Sequence, residues 1–341
     1  MLNAHSTQPT QYGYGKLTIM EDTKKRLLRL FSSLLLSNTA HALAFSPQLE
    51  LPNILNAITG PTSKGTFAYT YLEGNGQLWQ AKSGNSQVSV VVDPLASQLD
   101  FGIPWGYRAN KVTLSESQTI DLICKAHPTH CLLTMGLDDH CHPPTITKMM
   151  NELPNLIYIV APSAEKKLLG LGVSAEQIIV LRHGESCKLG DGQVTATEGA
   201  LVGPPWQERE LGFLLQLGSS EMESMKVYYE PHADVVLDNI KGLRADIMVS
   251  PTTKQALPAQ VPTEGQYTLV YGADRTLEIA ETLGASVVVP LGNDLLGIEG
   301  PLATLVAASG SVSDFEQLLV DTGSAVKVEK ASAGIPLNVK I

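Results

Sequence analysis

Cysteine is scarce in this chain. There are 4 in 341 residues, Cys124, Cys131, Cys141 and Cys187. No two form a C-x-x-C pair, which argues against a zinc knuckle, and so few do not make a disulfide scaffold. A glycine-rich phosphate loop of the dinucleotide or P-loop type is missing as well. Long hydrophobic runs are absent too, since Leu30 to Leu36 falls far short of the roughly 20 residues that span a bilayer. Basic residues are in deficit, with 24 Lys and Arg against 34 Asp and Glu, a net charge of −10. That balance argues against wrapping nucleic acid or lying on an anionic membrane through the overall field. What is plentiful is apolar: 43% of residues are hydrophobic. This is enough for a sizeable core and excludes general disorder. The length admits one large domain or two ordinary ones.

The front of the chain is compositionally foreign to the rest. Lys16, Lys24, Lys25, Arg26 and Arg29 stand against only Glu21 and Asp22 in residues 1–46. Lys24 to Arg29 forms a basic region, Leu30 to Leu36 a short apolar one, and Ala42-Leu43-Ala44 a small-residue cleavage site followed by Phe45. Residues 1–44 therefore read as a targeting region, with a signal peptide over about 20–44 that starts at Met1 or Met20. An amphipathic surface helix is the alternative. The Ala-Leu-Ala-Phe-Ser-Pro junction resembles the bipartite plastid signal of diatoms and related algae. Residues 45–65 would then be a transit segment or linker, although Glu50 departs from that pattern. The expected destination is a plastid, with the secretory pathway as the alternative.

From Thr66 the pattern is strand-rich. TFAYTYLE, GQLWQAK and QVSVVVDP read as a meander. A helix over Ser115–Ala126 leads to a strand over Cys131–Thr134, and further helices are expected over Pro144–Leu153 and Ala164–Leu169. QIIVLR, QVTATEG, LGFLLQLG and MKVYYEP form a second series of strands, followed by DIMVSP, YTLVYG and SVVVPLG. Helices Arg275–Leu283 and Asp314–Leu319 complete the count. Two β-rich halves with intervening helices predict an α/β fold of two mixed sheets packed face to face with helices outside, as one domain over 66–330.

The densest group of metal-capable side chains is Asp138, Asp139, His140, Cys141 and His142, at a strand-to-helix turn. Carboxylates and imidazoles this close call for solvation or a cation. Helix capping by Asp138 or Asp139 accounts for the same spacing. Asp93 ends one apolar strand, and Glu230 and His232 follow another. For each of these a turn-capping role competes with a site role. Trp105 and Trp206 sit in Gly/Pro-rich loops, where packing under the loop is the usual fate. His127, His130, His183 and Cys187 match no standard site.

The order of these features resembles the metallo-β-lactamase superfamily, in its lactonase-like branch of metal-dependent hydrolases with plant and algal plastid relatives. VVVDPLASQLDFGIPWGYRA, GLDDHCHPPT, EGALVGPPWQERELGFLL and YYEPHAD carry the likeness, over residues 66–310. The resemblance implies a four-layer αβ/βα sandwich. Its first motif falls on Asp93. Laid on its HxHxDH motif, this chain has Met135 and Leu137 at the first two histidine positions and keeps Asp139 and His140. No histidine stands at the third-motif position near Glu198–Ala200, or at the fifth near Gly292. The fourth-motif aspartate falls at about His232. The motif is degenerate, and a conventional two-zinc centre is not expected.

Two functions from different classes follow. In the first, one divalent ion, zinc before manganese or iron, is held by Asp139, His140 and His232, with His142 in support. Asp139 serves as ligand or base and Glu230 as proton carrier, so the chain hydrolyses an ester, lactone or phosphoester of a small molecule. Asp93 and Asp138 support this site, and no organic cofactor is expected. In the second, the fold is a catalytically degenerate scaffold that binds a ligand or protein partner. A third reading makes every polar cluster a cap or turn. No nucleic-acid partner and no transmembrane segment in the mature chain are expected.

Overall fold

Apolar strands with tight Gly turns open the folded part. In the computed structural model, which describes residues 64–203, 206–218, 224–258 and 265–341, β1 (Thr66–Tyr71), β2 (Gln77–Ser83) and β3 (Ser86–Val92) form an antiparallel meander. Gly74 and Gly84 turn its two corners in the left-handed region, at φ 62° and 57°. The targeting region expected over 1–44, and all but the end of the 45–65 segment, lie outside the described residues.

After the short β4 (Arg108–Asn110) the chain changes to strand–helix alternation: α1 (Glu116–Ala126), β5 (His130–Leu133), α2 (Pro143–Glu152), β6 (Ile157–Val160), α3 (Pro162–Leu171) and β7 (Ile178–Val180). α1 starts with a capping box between Ser115 and Gln118, while α2 and α3 start at prolines. Helical crossovers return each strand parallel to the last, so β3, β5, β6 and β7 run side by side. QIIVLR, expected in the second series of strands, is therefore the edge of the first sheet. Crossover α3, not strand composition, decides its partner.

The second half repeats the pattern. β8 (Ser186–Leu189), β9 (Gly192–Glu198), β10 (Leu211–Leu217) and β11 (Met225–Tyr229) form a meander. Then come α4 (Leu237–Ile240), β12 (Ile247–Pro251), β13 (Lys254–Leu257), β14 (Tyr267–Val270), α5 (Ala273–Leu283) and β15 (Val287–Leu291). β16 (Gly297–Glu299), β17 (Ala307–Ser309), α6 (Val312–Thr322), β18 (Lys327–Val328) and β19 (Leu337–Lys340) close the chain. The sheet orders are β19-β1-β2-β3-β5-β6-β7 and β18-β15-β12-β11-β10-β9-β8. β19 pairs with β1, so the first sheet extends past residue 330, the domain end expected from sequence.

The two sheets pack inner face to inner face. Trp79, Val90 and Val92 of one meet Phe213, Leu215 and Tyr229 of the other in one buried cluster. The outer face of the first sheet is covered by α1–α3 and that of the second by α5 and α6, through Ile279, Leu283 and Phe315. Val287 and Val289 face inward while Val288 faces these helices. A strand buried on both faces reads as an unbroken apolar run. The result is the expected four-layer α/β sandwich. Among the described residues no helix is long and apolar enough to cross a membrane.

Candidate functional site

The parallel pairing of β3 with β5 sets the site. It brings Asp93, the first residue after β3, beside the end of β5, where Asp93 N donates to Leu132 O. Asp93 sits at φ 41° and is fully buried. Its Oδ1 accepts from Thr134 N at 2.8 Å, and its Oδ2 accepts from Thr134 Oγ1 at 2.6 Å and from the Tyr229 hydroxyl at 2.9 Å. Tyr229 comes from the second sheet, so this carboxylate ties the two sheets at one end of the sandwich.

His140, also fully buried, places Nδ1 2.9 Å from Asp93 Oδ2. Its Nε2 lies 3.3 Å from Asp139 Oδ2 and 3.1 Å from the Asn75 amide. Burial pushes the imidazole down, but Asp139 and Asp93 outweigh it and raise the ring to about 10. For Asp139, burial pushes the carboxyl up, yet the charge and hydrogen bond of His140, the charge of His232 and a backbone hydrogen bond together outweigh it, and the net position is below the usual value. The ring of His232 stands 5.4 Å from that of His140, tilted by 30°.

Glu230 caps the turn that follows β11. Its Oε2 accepts from His232 N at 3.1 Å and Asp234 N at 2.8 Å. Its Oε1 is 3.7 Å from His232 Nδ1, too long for a hydrogen bond. Asp138 turns away and pairs with Lys167 of α3. His142 occupies the N-cap of α2, where no side chain caps the helix. Its Nδ1 is 2.8 Å from Thr145 Oγ1, which in turn accepts from Ala96 N in the loop after β3. Neither Asp138 nor Asp139 caps α2. The structure thus gathers Asp93, Asp139, His140, His232 and Glu230, and sends Asp138 and His142 elsewhere.

Asn75, Thr134 and Tyr229 join the site without a sequence signal of their own. So does Glu210, which accepts from Ser163 Oγ at 2.6 Å. Burial raises this carboxyl, against the pull of Ser163, His140 and His232. A cleft of about 150 Å³ opens beside them, floored by Asn75, Asp139, His232, Asn293 and Asp294. Among the described residues, Asn75 Oδ1, Asp139 Oδ1, Asn293 Oδ1, Glu230 Oε1 and His232 Nδ1 are buried without a hydrogen-bond partner. Trp105 and Trp206, expected under their loops, are 76% and 84% exposed.

Paired seven-stranded sheets, helices outside, and a polar cluster where strands of both sheets end define an αβ/βα sandwich with a site at one end. The family described as "Beta-lactamase superfamily domain" matches residues 69–292, more than half of the chain. The chain belongs to this metallo-β-lactamase superfamily.

Solved structures agree on the fold. CmlA, a diiron β-hydroxylase from Streptomyces venezuelae, is similar at 14% identity with a TM-score of 0.53, over 81% of this chain and 54% of that one. YhfI from Bacillus subtilis, a metallo-β-lactamase fold protein, is similar at 14% identity with a TM-score of 0.52, over 81% of this chain and 100% of that one. This chain therefore spans about half the length of the hydroxylase. Among curated proteins none matches.

The superfamily implies a divalent metal. A bound ion needs three or more protein ligands. Among the described residues no three His, Cys, Asp or Glu side chains stand together as such a set. Packing is also tight at Gly199, within the Glu198–Ala200 stretch, and at Gly292, near which resemblance puts two missing histidines. A Cβ at Gly199 would meet the Leu211 backbone at 2.6 Å, and one at Gly292 would meet Leu295 Cδ1 at 2.8 Å and the Tyr71 hydroxyl at 2.9 Å. Met135 is fully buried and is no donor for such an ion. The residues present do not fit a two-metal centre.

Proposed function

We propose that this protein is a binding member of its superfamily, whose cleft receives a small molecule through a cationic or strongly donating group. One observation carries this reading. Among the described residues the cleft lining includes Asp139 and Asp294 but no Lys or Arg, and four of its floor residues, Asn75, Asp139, His232 and Asn293, hold buried polar atoms without partners. Unpaired buried acceptors are costly, and a donor that reaches them is stabilised. A phosphoester or other anion meets like charge there. The protonation states point the same way: a ring held up at about 10 and a carboxyl held down form a locked ion pair at neutral pH. General acid–base catalysis works best with groups that titrate near the operating pH.

The test is calorimetry of the full chain with ethylammonium, guanidinium and acetate. The two cations are expected to bind and to raise the melting temperature, since a ligand selective for the native state must do so. Acetate is expected to do neither. Equal binding by acetate overturns the reading.

One observation favours the metal-dependent hydrolase instead. Asp93 engages Nδ1 of His140 and leaves Nε2 on the side of Asp139. That is how a carboxylate orients a metal-binding imidazole. Asp139, His140 and His232, which do not stand together as a ligand set here, would have to draw in around a single ion, with an ester or lactone as substrate. Elemental analysis of the purified chain separates the two. About one zinc, manganese or iron per chain, with ester hydrolysis lost on chelation, would replace the binding reading.

The lactonase-like branch and the plastid address belong to this proposal on the strength of sequence alone. A fluorescent fusion to residues 1–65 that enters the plastid supports the address. One that is secreted rejects it.

A further inference from the structure

Beside the polar floor residues the cleft lining also takes in Tyr107 and Gln255, and the rest of it is mostly apolar. Leu95, Leu99, Phe101, Leu296 and Ile298 form the sides. Three of these, Leu99, Phe101 and Ile298, belong to a flap outside both large sheets: β4 pairs with β16, and Leu302 N donates to Gly106 O at 2.9 Å, which fastens the loop at 99–107 to that at 300–306. The flap leaves apolar surface in water beside the mouth. Phe101 is 42% exposed, Ile298 41%, and Trp105 is more exposed still. Phe101 also holds φ 49°, a left-handed conformation uncommon for a bulky residue, with its ring 5.5 Å from that of Tyr107. Strain kept at the mouth of a cleft is a pointer to function.

We propose that the ligand is an amphiphile, with a primary ammonium head on the floor and an unbranched apolar tail against the flap. This rests on the reading of the floor as a cation site and names the class of molecule that carries the cation. Volume supports the division. About 150 Å³ is below the roughly 300 Å³ at which drug-sized sites begin. The cleft takes the head and a few carbons, and the remaining tail lies along Ile298 and Phe101, where it covers surface now facing water.

The experiment is calorimetry on the full chain with ethylammonium, octylammonium, 1-octanol and octanoate. Octylammonium is expected to bind at least tenfold tighter than ethylammonium, a gain that about two buried methylenes supply. Octanol is expected to bind at least tenfold more weakly than octylammonium, and octanoate more weakly still. Phe101→Ser and Ile298→Ser, at exposed positions, are expected to bring the octyl-to-ethyl ratio toward one, and Asp139→Asn to weaken both amines. Equal affinity of the two amines overturns the amphiphile and leaves the cation site standing. Binding of neither amine overturns both. Octanol as tight as octylammonium overturns the ammonium head. A chain that dimerises through the flap by light scattering, with no octyl preference, assigns that surface to a second copy and overturns the proposal.

Discussion

Asp93 Oδ2 lies 2.9 Å from His140 Nδ1, with both side chains fully buried. The same oxygen also accepts from Thr134 and Tyr229, so one atom joins the end of the first meander, the loop before α2 and the last residue of β11. Asp93→Asn removes the charge and keeps the shape. Asparagine tolerates the positive φ at this position, so backbone strain does not confound the result. Breaking one side of a buried charge pair leaves the other uncompensated, at a cost of roughly 3–5 kcal/mol. Urea unfolding is expected to show a loss of at least about 3 kcal/mol on this scale. A loss below about 1 kcal/mol, an ordinary surface effect, would show that the pair does not hold the sheets together.

The pH dependence follows from the same ring. With His140 raised to about 10 in the folded protein against about 6.5 in an unfolded chain, the native state binds its proton more tightly. The stability this contributes is full below about pH 6.5, declines as pH rises, and is lost past about 10. Lys111 acts in the opposite direction, because burial draws it down from 10.5 to about 8 despite the pull of Glu73. Its titration is common to wild type and His140→Gln, so the difference between them isolates the imidazole. Urea midpoints at pH 6, 8 and 10 are expected to separate most at pH 6 and to converge by pH 10. A constant separation would remove His140 as the titrating group.

The large layers were legible because the strands carry unbroken apolar runs and the helices carry clear boundaries. Val287–Val289 is a strand that has to be buried on both faces. The small sheets were not legible. β4, β16 and β17 are three residues long each and lie in Gly- and Pro-rich stretches with weak alternation. Within the site, Asp139 and His140 stand out by the density of metal-capable side chains around them, and Asp93 because it ends an apolar strand. Asn75 falls between two strands, Thr134 at the end of one and Tyr229 within MKVYYEP, and nothing local marks a hydroxyl that reaches across two sheets. His142 and Asp138 failed for a different reason. Spacing within a loop does not fix side-chain direction, and here Thr145 and Lys167 set it.

Gly199, in the Glu198–Ala200 stretch, and Gly292 stand near the places where resemblance puts two absent histidines, and their surroundings differ. At Gly199 the atoms in the way are backbone, Leu211 C at 2.6 Å and O at 2.8 Å. At Gly292 they are the ends of the Leu295 and Tyr71 side chains, although the Tyr71 hydroxyl also donates to Gly292 O. Side-chain tips move more readily than a strand. Gly199→Ala is expected to cost more than Gly292→Ala, within the roughly 1–3 kcal/mol of overpacked sites or above it. Thermal unfolding of the two variants decides the order. Restoring histidine at either position is expected to lower stability without adding zinc affinity, and a gain in bound zinc would reopen the metal reading.

Glu73 anchors the approach to α1. Its Oε1 accepts from Val112 N at 2.7 Å and Thr113 N at 2.9 Å, and its Oε2 from Leu114 N at 2.8 Å. Three successive amides held by one buried carboxylate fix the segment that leads from β4 into the capping box. Hydrogen bonds to a charged group are worth about 1.5–3 kcal/mol each, and the amides regain water when the segment opens, so the net loss is smaller than their sum. Glu73→Ala is expected to destabilise by about 2–4 kcal/mol on that basis. The local readout is sharper. Amide exchange at Val112, Thr113 and Leu114 is expected to accelerate far more than in β5 or β11, because one side chain protects all three. Uniform acceleration across both sheets would mean that Glu73 supports the whole domain, and no acceleration would mean that the loop is held by its packing alone.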